Sequence, residues 1–182
     1  MEVLPPEKSN ALCAISEVLP YLYVASYRCI TESKLKQFQI THAIDISNIG
    51  LNKKFPGIEY KEFNVDDNNI ANISKYFEEA CEFIDAARDK GGKIVIYCAA
   101  GISRSATLAI MYLVIKGGKS LRDSYYHVNQ VRPIISPNIG FWRQMIDFEK
   151  HMIGKSTVTL ITGRMPRPLP DVYLHRSASQ NT

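Results

Sequence analysis

What this sequence lacks narrows its chemistry before any motif is read. Only four of its 182 residues are cysteine (Cys13, Cys29, Cys81, Cys98), and no two form a Cys-x-x-Cys pair. The opening Met1-Glu2-Val3-Leu4-Pro5-Pro6 has no basic stretch leading into an apolar run. Neither a disulfide framework nor a thiolate zinc site is therefore expected, and the thiols read as reduced. Histidine is as sparse: His42, His127, His151 and His175 are scattered at no ligand spacing, so no metal and no cofactor is expected. The longest apolar stretches, such as residues 106–115, stop well short of the roughly 20 residues a membrane-spanning helix needs. Glu2 stands where myristoylation requires glycine. No block of lysine or arginine occurs either. The 22 basic and 18 acidic residues leave a charge of +4 spread along the chain, which suits an anionic substrate and calls for no nucleic acid. The start reads as that of a cytoplasmic protein.

What is present fits one compact domain, since 46% hydrophobic residues in 182 can bury one sizeable core but not two. Residues 1–13 are polar and proline-containing, a flexible lead-in. Short β-prone runs follow at Tyr21-Leu22-Tyr23-Val24 and His42-Ala43-Ile44-Asp45-Ile46, and residues 60–65 alternate with Phe63 and Val65 on one face. Ile94-Val95-Ile96-Tyr97-Cys98 is apolar throughout, as a central strand buried on both faces should be. Helical spacing appears after Thr31, with Leu35 and Phe38. It returns over residues 73–87, closed by Gly91-Gly92, and from Ser103 to Lys116. A fourth helix starts at Ser120 with Asp123 as a partial capping box and ends before Pro133; a fifth presents Trp142, Met145, Ile146 and Met152. Strands alternating with helices predict an α/β fold: one mostly parallel sheet of about five strands, flanked by helices on both faces. Beyond Gly154 the pattern dissolves, although residues 156–161 are β-prone, and residues 175–182 read as a disordered tail.

The chemistry concentrates at Cys98-Ala99-Ala100-Gly101-Ile102-Ser103-Arg104. A thiolate that attacks a phosphate monoester must approach a doubly charged group, so its surroundings must be strongly positive. A tight loop between a strand and a helix N-terminus provides this, because successive backbone N–H groups turn inward and the helix dipole adds to them. Gly101 permits backbone angles that a side chain would block, while Ala99 and Ala100 are small enough to leave the pocket open. Arg104 can bind two phosphate oxygens with its planar fork, and the same positive field favours the thiolate of Cys98. Ser105 is placed to donate to the sulfur when it leaves. A cysteine closing an apolar strand is ordinarily a small core residue. With four cysteines, a bare Cys-x5-Arg pair arises by chance in about one chain in five; demanding the glycine and the following serine or threonine lowers this to a few in a thousand, on the order set by average composition. The leaving oxygen also needs a proton, and Asp66 and Asp67, in the turn-like Val65-Asp66-Asp67-Asn68-Asn69, are the candidates; a solvated turn would contain the same residues.

At these residues the sequence resembles the atypical dual-specificity phosphatases of the cysteine-based protein tyrosine phosphatase superfamily. The resemblance covers about residues 14–153, expected as the catalytic domain. The segment from Ile15 to Ser26 resembles the family's opening strand, and Cys98 to Thr107 its nucleophile signature. Arg132-Pro133-Ile134-Ile135-Ser136-Pro137-Asn138 resembles the segment whose asparagine braces the phosphate loop, a role compatible with Asn138 capping the last helix. Counting back from Tyr76-Phe77, the resemblance assigns the general acid to Asp67. Gly154 to Val158 and Pro170 to Tyr173 look like the tail of the subgroup containing dual-specificity phosphatases fourteen, eighteen and twenty-one, so residues 154–174 are expected to pack on the domain. The family usually carries a histidine before the nucleophile that organises hydrogen bonds around the loop; here that residue is Tyr97.

The resemblance implies a two-step hydrolysis of phosphotyrosine and phosphoserine/phosphothreonine through a phosphocysteine on Cys98. The loop from Ala99 to Arg104 would bind the phosphate, no cofactor would be needed, and the partners would be phosphoproteins such as MAP kinases or other signalling proteins, in the cytoplasm or nucleus. Two other readings use the same fold. A phosphate-binding pseudophosphatase is favoured only by Tyr97. A phosphoinositide or RNA phosphatase would carry cations inside the loop, where Ala99, Ala100 and Ile102 are neutral.

Overall fold

The computed structural model describes residues 12–50, 53–163 and 167–177, without the side chains of 175–177. The expected lead-in of residues 1–13 and the tail of 175–182 therefore fall mostly outside the described residues. Five strands form one mixed sheet: β1 (Ser16–Leu19), β2 (Leu22–Ser26), β3 (His42–Asp45), β4 (Glu59–Glu62) and β5 (Ile94–Cys98), in the spatial order β1-β2-β5-β3-β4. The pairs β2·β5, β5·β3 and β3·β4 are parallel, and only β1 runs antiparallel, on β2. The fully apolar β5 lies at the centre with every residue buried. At the edge, the run expected over residues 60–65 pairs only from Glu59 to Glu62, with Phe63 N–H adding one bond to Asp45 O at 2.9 Å. Phe63 and Val65 are buried as the alternation requires.

The period of two divides the core. Leu22, Val24, Ile44, Ile94, Ile96 and Cys98 face four helices: α2 (Phe77–Asp89), α3 (Arg104–Ile115), α4 (Leu121–Val131) and α5 (Ile139–Ile153). Tyr23, Ala25, Ala43, Val95 and Tyr97 face the short α1 (Glu32–Gln37), together with Ile30, Leu35, Ile40 and Phe55. Adjacent residues of β5 thus belong to opposite layers. Among the described residues no helix is long and apolar enough to cross a membrane.

Helix starts follow their caps. Thr31 Oγ1 accepts from Lys34 N–H, and Ser120 Oγ accepts from Asp123 N–H at 3.0 Å while donating to Asp123 Oδ2 at 2.7 Å. The stripe expected from Ile73 begins as a 3-10 turn, Ser74–Tyr76, before the α-helix proper. Met152, expected on the apolar face of α5, is 45% exposed, because it lies in the last turn, beyond the part of the helix that buries Trp142 and Met145 in the core. In α2, burial pushes the Cys81 thiol up to about 12. Brief treatment with iodoacetamide at neutral pH is accordingly expected to leave Cys81 unmodified while the exposed Cys13 reacts; peptide mass mapping showing both alkylated together would contradict this.

Residues 156–158 and 171–173 lie against α4 and α5. Glu149, buried within α5, accepts from Leu121 N–H (2.7 Å), Thr157 N–H (2.7 Å) and the hydroxyls of Ser156 and Thr157 (2.9 Å each), so one carboxylate ties the start of α4 to this segment. Arg122 donates to Asp171 Oδ2 at 2.6 Å, and Trp142 Nε1 donates to Tyr173 Oη at 3.0 Å. Two short strands, β6 (Leu160–Ile161) and β7 (Leu169–Pro170), pair antiparallel, and Val158 and Val172 are buried in the main core.

Candidate active site

Residues 98–104 turn from the end of β5 into the first turn of α3. Cys98 is buried, and its Sγ accepts from Gly101 N–H at 3.2 Å and lies 3.2 Å from Ser105 Oγ. The carbonyls of the loop are held from outside. Arg132 donates Nε to Gly101 O at 2.6 Å and Nη2 to Ala100 O at 3.4 Å, while Ser136 N–H donates to Ile102 O at 2.9 Å. In a planar trans peptide the C=O and the next N–H point in opposite directions. Fixing these three carbonyls outward therefore turns the N–H groups of Gly101, Ile102 and Ser103 toward the concave side. Gly101 has φ +67°, and a Cβ there would meet the Ala25 backbone and Arg132 Nη2 at 2.6 Å, so both conformation and space require glycine.

Arg132 is fully buried and also donates Nη1 to Ala14 O (3.0 Å) and Ser16 Oγ (3.1 Å), which joins the loop to the start of β1. Burial lowers its pKa, while the neighbouring Cys29 and Cys98 act in the opposite sense. The sequence named Arg132 only within a resembling segment and assigned it no role. Its signal is the following Pro133, which keeps Arg132 out of the helix (φ −139°, ψ 81°) at the C-terminal end of α4.

Arg104 is buried at the mouth of the loop. Its Nη1 donates to Ser47 O at 2.8 Å and Val65 O at 3.1 Å, and its Nε makes no hydrogen bond among the described residues. Such a buried donor is costly unless an anion's oxygen accepts from it. That Nε stands 3.8 Å from Asp67 Oδ2. Asp67 Oδ1 accepts from Ser103 Oγ at 2.7 Å and Asn138 Nδ2 at 2.8 Å, whereas Asp66 Oδ1 takes Asn48 Nδ2 at 2.6 Å, outside this group of contacts. Of the two carboxylates, the structure thus brings Asp67 to the loop. Asn138 acts in three directions: its Oδ1 caps α5 through Phe141 N–H, its own N–H donates to Ser103 Oγ at 3.1 Å, and its amide holds Asp67.

Tyr97 faces the opposite layer from Cys98. Its hydroxyl donates to Asp45 Oδ2 at 2.9 Å, and Asp45 Oδ1 accepts from Ser47 N–H (2.9 Å) and Ser47 Oγ (2.6 Å). Because Ser47 O receives Arg104, Tyr97 reaches the site through Asp45 and Ser47, not through the thiol. Burial, followed by the Asp45 carboxylate, pushes the Tyr97 hydroxyl above the usual tyrosine range, so it stays a donor. An acid in the buried run of β3 is the sequence signal for Asp45.

A thiol, an inward-facing set of amides, an arginine with a free donor and a carboxylate thus converge at the C-terminal end of a central strand. This is a site built to hold an oxyanion against sulfur, the architecture of a cysteine-based phosphatase. The chain belongs to the dual specificity phosphatase family, whose catalytic-domain profile matches residues 22–151. Human dual specificity protein phosphatase 4 is 39% identical over 141 residues, 77% of this chain and 36% of that protein. Human tyrosine phosphatase-like serine/threonine/tyrosine-interacting protein superposes with a TM-score of 0.71 at 33% identity, covering 76% of this chain and 97% of the other. Human DUSP28 gives 0.73 at 28% identity, covering 82% and 97%. The chain spans little more than a third of the length of the curated relatives it matches.

Proposed function

We propose that this chain hydrolyses phosphate monoesters of tyrosine, and of serine and threonine, in phosphoproteins. The observation that carries this reading is the setting of Cys98 Sγ, between Gly101 N–H and Ser105 Oγ, in a loop whose Arg104 keeps a buried Nε without a hydrogen bond among the described residues. Cys98 attacks phosphorus, the bond from phosphorus to the ester oxygen breaks, and Asp67 gives its proton to that oxygen. Water then attacks the phosphocysteine, Asp67 takes a proton from it, and the P–S bond breaks with Ser105 donating to the departing sulfur. With Gly101 N–H on the sulfur, the amides of Ile102 and Ser103 with Arg104 hold the equatorial oxygens, Ala99 and Ala100 leave the mouth open, and Asn138 and Tyr97 support the loop and its arginine. Neither step requires a metal or an organic cofactor.

Membership in the subgroup of dual-specificity phosphatases fourteen, eighteen and twenty-one is supported by the packing of residues 156–158 and 171–173 on α4 and α5. Signalling phosphoproteins, MAP kinases among them, are the proposed substrates, met in the cytoplasm or nucleus. The test is turnover of an aryl phosphate by the parent chain and by Cys98→Ser. Turnover in the parent, falling at least about a thousandfold in the variant, is expected. A parent without turnover would leave a phosphate-binding module, and equal turnover in both would remove Cys98 from the chemistry. Trapping with Cys98→Ser and Asp67→Ala in a lysate, followed by a phosphopeptide panel, then reads substrate and residue preference.

A further inference from the structure

Asp67 lies in a segment without helix or strand, between β4 and the 3-10 turn at Ser74. A proton donor on such a segment is useful only if its carboxyl stays within reach of the leaving oxygen, so something must fix the segment's path. The N-terminal half of α5 contacts it at three points. Asn138 Nδ2 holds the Asp67 carboxylate. At Gly140, a Cβ would meet Asn69 O at 2.2 Å and the Asn69 carbonyl carbon at 2.6 Å, so the segment's backbone rests directly on the helix. A side chain at this second position of α5 would not permit that contact.

The third point is Gln144. Its Oε1 accepts from Ile73 N–H and Ser74 N–H, both at 2.9 Å, and its Nε2 donates to Ala71 O at 2.8 Å and Gly140 O at 3.2 Å. All four hydrogen-bonding places of one side-chain amide are filled, three of them by the backbone that follows Asp67. Between these anchors Asn68 Oδ1 closes a local turn on Ile70 N–H and Ala71 N–H, at 3.0 and 2.8 Å. The same helix start also holds the nucleophile loop, since Asn138 N–H donates to Ser103 Oγ.

We propose that Gln144, with Gly140, is a positioning residue for proton transfer: α5 fixes the distance between the carboxyl of Asp67 and the loop carrying Cys98. The inference rests on the reading of Asp67 as the acid. Gln144 touches none of the reacting groups, so its effect should appear only where a leaving group needs a proton. A phenol like that of tyrosine needs one, whereas a dinitrophenolate departs largely unaided.

The experiment compares kcat/KM for dinitrophenyl phosphate and phenyl phosphate in the parent, Asp67→Asn, Gln144→Ala and Gly140→Ala, each checked for folding by thermal melting. The ratio of the two constants is expected to rise about 100-fold in Asp67→Asn and about tenfold in Gln144→Ala and Gly140→Ala. Gly140→Ala keeps a good helix former in α5, and the nearest atoms its Cβ would meet all belong to the Asn69 backbone, so it decides the matter if Gln144→Ala folds poorly. A ratio that rises in Asp67→Asn but stays within about twofold of the parent in both α5 variants overturns this inference alone, whether or not overall activity falls. A ratio unmoved in Asp67→Asn removes the acid itself and the inference with it.

Discussion

Arg132→Met is expected to lower kcat/KM for an aryl phosphate by about 100-fold or more and to destabilise the fold by about 3–5 kcal/mol. The methionine fills much of the volume but supplies none of the donors that now reach Gly101 O, Ala100 O, Ala14 O and Ser16 Oγ. Two consequences follow from one loss. Buried and part-buried carbonyls lose charged donors, which costs stability, and the peptides at Ala100 and Gly101 become free to rotate, which turns their amides away from the sulfur and from the place a phosphate would take. A positive charge behind Cys98 also disappears. Arg132→Lys should recover only part of the loss, because an ammonium cannot fork between the loop and the start of β1. Activity within about threefold of the parent in a folded Arg132→Met protein would show that the loop keeps its shape unaided. Denaturant unfolding supplies the stability value.

Asp45→Ala is expected to destabilise the chain by about 3–5 kcal/mol and to reduce kcat about tenfold. Tyr97, Ser47 and Lys54 all direct donors at this buried carboxylate, Lys54 Nζ at 3.2 Å, and each would lose that partner. The effect on rate comes through Ser47: its N–H and hydroxyl bind Asp45, while its carbonyl aims Arg104. Tyr97→Phe removes only one donor and should cost about 1–3 kcal/mol, with a smaller change in rate. It should also alter the alkaline side of the stability profile. A hydroxyl whose folded pKa is raised contributes fully below tyrosine's ordinary value of ~10 and loses that contribution as pH climbs above it. Phenylalanine has no such dependence. If Asp45→Ala melts like the parent and turns over substrate equally well, the path from Tyr97 to Arg104 has no functional weight.

The features legible in the sequence are those whose causes are local. The apolar run at residues 94–98 emerged as the central strand with the boundaries its composition suggested, because a strand buried on both faces has no polar positions to blur it. Thr31 and Ser120 marked helix starts because caps act within three residues. The nucleophile loop was legible for the same reason: strand, glycine, arginine and helix start are consecutive. Edges were less so. The run at residues 60–65 alternates correctly yet pairs over only four residues, since pairing depends on the reach of β3 and not on the run itself. Met152 kept the helical period but faces outward, because the period does not reveal where the core ends.

Gln144 and Glu149 carry no local mark of their roles, and the marks of Arg132 and Asp45, a following proline and a place in a buried strand, do not say what they bind. Each looks like an ordinary polar residue at the end of a helix, in a strand or on a helix face, and each acts on backbone at least two residues away and mostly tens of residues distant in sequence. Asp66 and Asp67 show the limit most clearly, for adjacent identical side chains have the same propensity, and only the folded chain gives one to Asn48 and the other to the loop.

By itself, the sequence determined that an α/β domain would present Cys98 and Arg104 on one turn between strand and helix, since that geometry follows from short-range sterics and hydrogen bonding. The tertiary structure alone decided how the turn is held: by Arg132 and Ser136 on its carbonyls, by Ser47 and Val65 on its arginine, and by Asn138 and Gln144 on the segment carrying Asp67. Those contacts join residues far apart along the chain, and a donor's partner across such a distance is set by packing, which no local pattern encodes.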